Sequence, residues 1–104
     1  MKKGDIYLVT LDPTQGSEQA KTRPCVIIST DIVNDYANTV TIAPLSTKKR
    51  LKPFMFHVPY EEGIIKIEQL RTVDKKRLLK KVGLIDSKTK QNIQHALQIY
   101  FEII

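Results

Sequence analysis

A chain of 104 residues suits one domain and one core, and its 41% apolar share is enough for a packed globule with no disordered bias. Seventeen Lys and Arg against eleven Asp and Glu leave a net charge of +6, an excess that favours a polyanionic partner, a merely soluble basic protein being the alternative. A single cysteine excludes an internal disulfide, no zinc-type Cys/His cluster exists, and no run reaches membrane-spanning length.

The start, Met1-Lys2-Lys3-Gly4-Asp5, lacks an apolar signal segment, so a cytoplasmic protein without membrane contact is expected. Residues 6–11 are β-branched and aromatic-rich and predict a first strand, closed by Asp12-Pro13. A polar loop of about ten residues follows, anchored by Pro13 and Gly16, and ends at Arg23-Pro24. Residues 24–29 predict a second strand whose unbroken apolar character implies burial on both faces, with Cys25 a buried small hydrophobe. Residues 31–38 predict a turn or a short helix, and 39–45 alternate as a third strand. Residues 46–52 form a hydroxyl-rich and then strongly basic loop. Phe54, Phe56 and Val58 predict one face of a fourth strand, with Met55 and His57 on the other. After a turn at Glu62-Gly63, residues 64–70 predict a fifth strand with Lys66 and Glu68 on one face and Gln69 and Arg71 on the other.

The last third changes period. Thr72-Val73-Asp74 predicts the cap of a short helical turn, residues 82–85 one more short strand, and Ser87 the N-cap of a helix from about Lys88. Ile93, Ala96, Leu97, Tyr100, Phe101 and Ile104 fall at helical spacing and form one apolar stripe for core packing. The fold class is therefore mainly β with a C-terminal helix. A small, twisted, partly closed barrel limits exposed strand edges.

Pro24 biases Arg23 towards an extended backbone, which sets the arginine at the mouth of the second strand, facing the loop's hydroxyls and amides. A planar fork of donors there matches phosphate oxygens; the alternative is an ordinary loop with a surface arginine. His95 falls on the polar side of the last helix, and His57 is a lone strand histidine, more often structural than catalytic. No P-loop, Ser-His-Asp set or metal-spaced carboxylate pair is present. What remains is Ser17, Gln19, Arg23, Ser46, Thr47, Lys48 and Gln69 at loop–strand junctions, an inventory suited to binding and stabilising a phosphodiester.

Three segments carry a resemblance. Asp12-Pro13-Thr14-Gln15-Gly16-Ser17-Glu18-Gln19 with Thr22-Arg23-Pro24, then Ile42-Ala43-Pro44-Leu45-Ser46-Thr47, then Glu68-Gln69-Leu70-Arg71-Thr72-Val73-Asp74 resemble, in order and spacing, the motifs of the MazF/PemK toxin family. The resemblance covers nearly the whole chain, residues 1–104 as a single domain. It implies an SH3-like barrel with a C-terminal helix and a homodimer. It also implies sequence-specific cleavage of single-stranded RNA, commonly messenger RNA, and a cognate antitoxin that blocks the RNA groove. Operator DNA would be met only through the antitoxin complex. Arg23 matches the family's essential arginine and Ser46 the Ser/Thr at the scissile phosphate. Ser17, Gln19, Thr47, Lys48, Glu68 and Gln69 are the implied RNA contacts. Some members carry a histidine where Ser17 stands, and an Arg and an Asp where Lys66 and Glu68 stand. The general acid and base therefore stay open, with Glu68 one candidate base and Lys66 or Arg23 candidate charge stabilisers.

No cofactor and no metal are expected. The nucleophile is then the ribose 2′-hydroxyl beside the scissile phosphate, with Arg23 stabilising the phosphorane charge and residues 48–52 tracking the RNA backbone. Two competing readings are a non-catalytic single-strand RNA-binding module and a gyrase-poisoning toxin of the CcdB type.

Overall fold

The apolar run after Pro24 is buried on both sides because its residues alternate between two cores. In the computed structural model, which describes residues 1–18, 20–47 and 54–103, Val26 packs with Ile6, Ala43, Ile65 and Ile93. Its neighbours Cys25 and Ile27 pack with Val9, Leu11, Val40, Ile42 and Val73. A strand buried on both faces needs no polar alternation.

The strands β1 (Asp5–Thr10), β2 (Thr22–Ile27), β3 (Thr39–Ser46), β4 (His57–Tyr60), β5 (Gly63–Lys66), β6 (Arg71–Asp74) and β7 (Leu78–Leu84) form one seven-stranded sheet. Its order is β4-β5-β3-β2-β1-β7, and β6 pairs with β3 alongside β5. Every pairing is antiparallel. The sheet is open, with β4 and β7 at the ends of the path. Helix α2 (Ser87–Tyr100) covers the first core through Ile93, Ala96 and Leu97. The second core is lined by residues of β1, β2, β3, β6 and β7 together with Leu11, a lining drawn from strands that suits a barrel-like fold. The short helix α1 (Asp31–Tyr36) bridges β2 to β3, held by Asn34, which accepts from Ser29 Oγ at 2.5 Å and donates to the Ser29 carbonyl at 2.9 Å. Among the described residues, no helix is long and apolar enough to cross a membrane.

The fourth and fifth strands differ from those expected. The fourth strand begins at His57, not Phe54. Residues 54–57 turn instead, closed by the His57 amide on the Phe54 carbonyl at 2.9 Å, and Phe54 meets both Phe56 and His57 edge-on rather than sharing a face with Phe56 alone. The fifth strand ends at Lys66, where the chain enters a 3₁₀ turn over Ile67–Gln69. Ile67 and Leu70 both pack into the first core, and a spacing of three suits a 3₁₀ turn rather than a pleat. Glu68 and Lys66 therefore do not share a strand face.

The last helix starts at Ser87, and its N-cap is Asp86, whose carboxylate accepts from the Thr89 amide at 3.3 Å and from the Thr89 hydroxyl. Those bonds hold the Asp86 carboxyl below the usual carboxylate range. Of the predicted stripe, Ile93 and Ala96 are buried, Tyr100 and Phe101 are largely exposed, and Ile104 lies outside the described residues. The expected strand at 82–85 is the end of the longer β7. The turn after Asp74 is observed at Lys75–Arg77, with the Asp74 carboxylate accepting from the Lys76 amide at 2.8 Å.

Candidate nucleic-acid interface

Alternation along β2 puts Arg23, Cys25 and Ile27 on one face. The β2–β3 register pairs Cys25 with Pro44 and Ile27 with Ile42; continued two residues towards the loop, it sets Arg23 opposite Ser46. Arg71 stands opposite Ile42 on β6 and so joins the same face. The Cys25 thiol reports both arginines: burial pushes it up to about 12, while Arg71 and Arg23 pull it the other way. Arg23 is half-buried, and its Nε donates to the Ala20 carbonyl at 3.2 Å, which ties the side chain to the end of the loop. Ser46 is buried at 2% exposure, and the exposed Thr47 follows it at the strand end.

The same face continues onto the smaller strands. Ser46 pairs with Ile64, and Lys66, two residues along β5, pairs with His57 on β4. His57 is nearly enclosed, its side chain 4% exposed, and its Nε2 lies 2.9 Å from Glu68 Oε2. The remaining His57 Nδ1 and Glu68 Oε1 are buried with no hydrogen-bond partner among the described residues. Buried polar atoms left over in this way are costly, and they gather where a chain does chemistry or binds.

The loop between β1 and β2 lies against this face at Ser17, whose carbonyl accepts from Gln69 Nε2 at 3.4 Å. Within the loop, the Gln15 amide donates to Glu18 Oε1 at 2.5 Å and the Glu18 amide returns to the Gln15 carbonyl at 3.1 Å. Of the residues singled out from the sequence, Arg23 and Ser46 lie at the same end of the neighbouring antiparallel strands β2 and β3, and Ser17 meets Gln69. Glu68 pairs with His57 instead of standing beside Lys66 on a strand. Gln19 and the basic loop from Lys48, residues 48–52, lie outside the described residues. Sequence reasoning set His57 aside and did not single out Arg71; the signal for Arg71 was its place before Thr72 in the third motif. Among the described residues, no group of three or more His, Cys, Asp or Glu side chains is arranged to hold a metal ion. The clefts at the start of α2 (Tyr60, Glu61, Asp86) and along its last turns (Gln98, Ile99, Ile103) contain none of these residues.

Fold and face together define a small antiparallel-sheet protein with a cation-and-hydroxyl surface at the mouth of its central strands. The chain belongs to the PemK-like, MazF-like toxins of type II toxin–antitoxin systems, which it matches over residues 2–101. It is 36% identical over 107 residues to the endoribonuclease MazF of Staphylococcus saprophyticus, spanning 95% of this chain and 89% of the relative. In fold it is similar to the crystal structure of MazF from Deinococcus radiodurans, with TM-score 0.85 at 18% identity, covering 99% of this chain and 97% of the other. It is also similar in fold to an endoribonuclease solved in complex with its cognate antitoxin from a mycobacterial species, with TM-score 0.83 at 20% identity, covering 100% of this chain and 97% of the other.

Proposed function

We propose that residues 1–104 act as one endoribonuclease toxin domain that cuts single-stranded messenger RNA at specific sequences in the cytoplasm and is silenced by a cognate antitoxin. The observation that supports it most is the placement of Arg23 and Ser46 at the same end of two neighbouring antiparallel strands, beside the β1–β2 loop. The net charge of +6 suits a polyanionic substrate. The protein works as a homodimer, and operator DNA is met only through the antitoxin complex.

The reaction is attack of the ribose 2′-oxygen on the adjacent phosphorus. The P–O2′ bond forms, the P–O5′ bond breaks, the 2′ proton passes to a base, and the leaving 5′-oxygen takes up a proton. Positioning by the substrate itself supplies much of the rate. Arg23 stabilises the charge on the phosphorane oxygens through its fork. Its pKa above about 12 makes it a charge stabiliser rather than a base. Ser46 donates one hydrogen bond to a non-bridging oxygen; because it is buried, the phosphate reaches it only as its neighbours yield, while Thr47 offers an exposed hydroxyl beside it. Ser17, Glu68 and Gln69, together with Gln19 and Lys48 outside the described residues, contact the RNA. No cofactor takes part.

The test is product chemistry. Cut RNA should carry a 2′,3′-cyclic phosphate (or the 3′-phosphate it hydrolyses to) and a 5′-hydroxyl, and cutting should persist in excess EDTA. A substrate with 2′-deoxyribose 5′ to the cut should bind and stay whole. Cleavage of that deoxy substrate would overturn the mechanism. Binding without any cleavage of ordinary RNA would favour a plain RNA-binding module.

A further inference from the structure

Three consecutive backbone carbonyls at the exit of β1 are held by two arginines from the far end of the chain. Arg77 Nη1 donates to the Thr10 carbonyl at 3.0 Å and to the Asp12 carbonyl at 2.5 Å. Arg71 Nη1 donates to the Leu11 carbonyl between them at 3.0 Å. On the loop side the neck is closed by Lys21: its carbonyl accepts the Leu11 amide at 2.9 Å, and its amide donates to Asp12 Oδ1 at 2.9 Å. The tip of the same loop meets Gln69 at the Ser17 carbonyl. One segment, residues 69–77, thus braces the β1–β2 loop at its neck and near its tip. A strand-to-loop corner leaves carbonyls without ladder partners, and a charged planar fork is a strong, geometrically selective way to satisfy them.

We propose that Arg71 and Arg77 are positioning residues for RNA cleavage: they clamp the neck of the β1–β2 loop so that Ser17 and Arg23 are presented to the substrate in one geometry. The proposal rests on the reading of this face as an RNA-cleaving site. Both arginines spend a guanidinium nitrogen on the backbone, and the loop they hold runs directly into Arg23, whose own Nε is tied to Ala20 within it. A loop free to move at its neck would present the arginine in many poses, and a misplacement of about 1 Å at a reacting centre costs on the order of 10²-fold.

The experiment reads the loop and the reaction separately. Hydrogen exchange of the RNA-free protein follows the Leu11 and Lys21 amides, and steady-state cleavage gives kcat and KM. Arg71→Met and Arg77→Met should each speed exchange at Leu11 and Lys21 by about tenfold or more, the weight of a hydrogen bond from a charged donor. Exchange in α2 should stay unchanged, kcat should fall further than KM rises, and Arg71→Lys, which keeps one donor, should restore part of both. Wild-type cleavage in a variant with a loosened neck would overturn the proposal. So would lost cleavage with neck exchange unchanged and a salt dependence of RNA binding lowered by about one ion, the mark of a direct phosphate contact. Should a Met variant unfold, Arg71→Lys and Arg77→Lys are judged by the same two quantities. Failure of the wild-type protein to cut any RNA would overturn the ribonuclease reading, while the exchange data would still decide whether the clamp exists.

Discussion

Arg23 stands half-buried at the start of β2, before Pro24, on a face shared with Arg71 and at the same end of the sheet as Ser46. On the proposed mechanism, a guanidinium held there by the sheet would stabilise developing charge without reorganising during the reaction. Arg23→Ala should therefore lower the cleavage rate by on the order of 10²-fold or more while leaving the fold intact. Arg23→Lys should recover only part, because an ammonium lacks the fork. Ser46→Ala removes one neutral hydrogen bond and should cost about tenfold or less. Cleavage rates on a defined RNA, read beside thermal melts, check all three, and a folded Arg23→Ala protein with near-native rates would remove Arg23 from the mechanism. At this scale legibility was uneven for a physical reason. Arg23 and Ser46 stand beside local signals, a following proline and a strand end. Arg71 and Arg77 act on carbonyls 60 and 65 or more residues away, and no local pattern announces such a bond. The pairing of His57 with Glu68 depends on a bend after Lys66, so alternation along the sequence gave them the wrong neighbours.

At the scale of elements, strands with strong β-branched runs and turn residues at their ends were readable, as were the buried middle of α2 and the double burial of β2. The β4–β5 region was not, because its aromatic residues satisfy a turn as well as a pleat, and tertiary packing of Ile67 and Leu70 selects the 3₁₀ turn. That region also governs Ser46. Gly63 opens β5 where it passes the end of β3, and a Cβ on it would overlap the backbone carbonyl oxygen of Ser46. Backbone cannot step aside as a side chain can, so the strands must part at the Ser46–Ile64 pair. Gly63→Ala should destabilise the protein by about 1–3 kcal/mol, the range for overpacking, and slow cleavage by moving Ser46. Gly83→Ala is the matched control: its nearest neighbour is Ile6 Cδ1 at 3.6 Å, ordinary contact distance. Denaturant melts and cleavage rates on the two variants decide the point; equal stability and activity for both would contradict the close approach.

Several large apolar side chains stand exposed on the whole molecule. Ile32 and Tyr36 on α1 are 74% and 86% exposed, and Ile103 beyond α2 is 64% exposed. Leu79, Val82 and Leu84 are also exposed on β7, which ends the sheet. A chain of 104 residues buries a limited share of its apolar surface alone, and contiguous exposed apolar residues mark surfaces that meet partners. A homodimer covers such surface twice over, since a twofold axis applies one patch to itself. The expected species at micromolar concentration is therefore about twice the 11.9 kDa chain mass by sedimentation equilibrium. A second, cognate protein that silences the enzyme should do so by covering the Arg23 face, so adding the antitoxin should abolish RNA binding and cleavage together. The dimer should persist in salt that weakens RNA binding, because apolar burial is not screened and phosphate contacts are. Sedimentation showing only the monomer at these concentrations would remove the dimer, and an antitoxin complex that cuts RNA at the full rate would remove the occlusion.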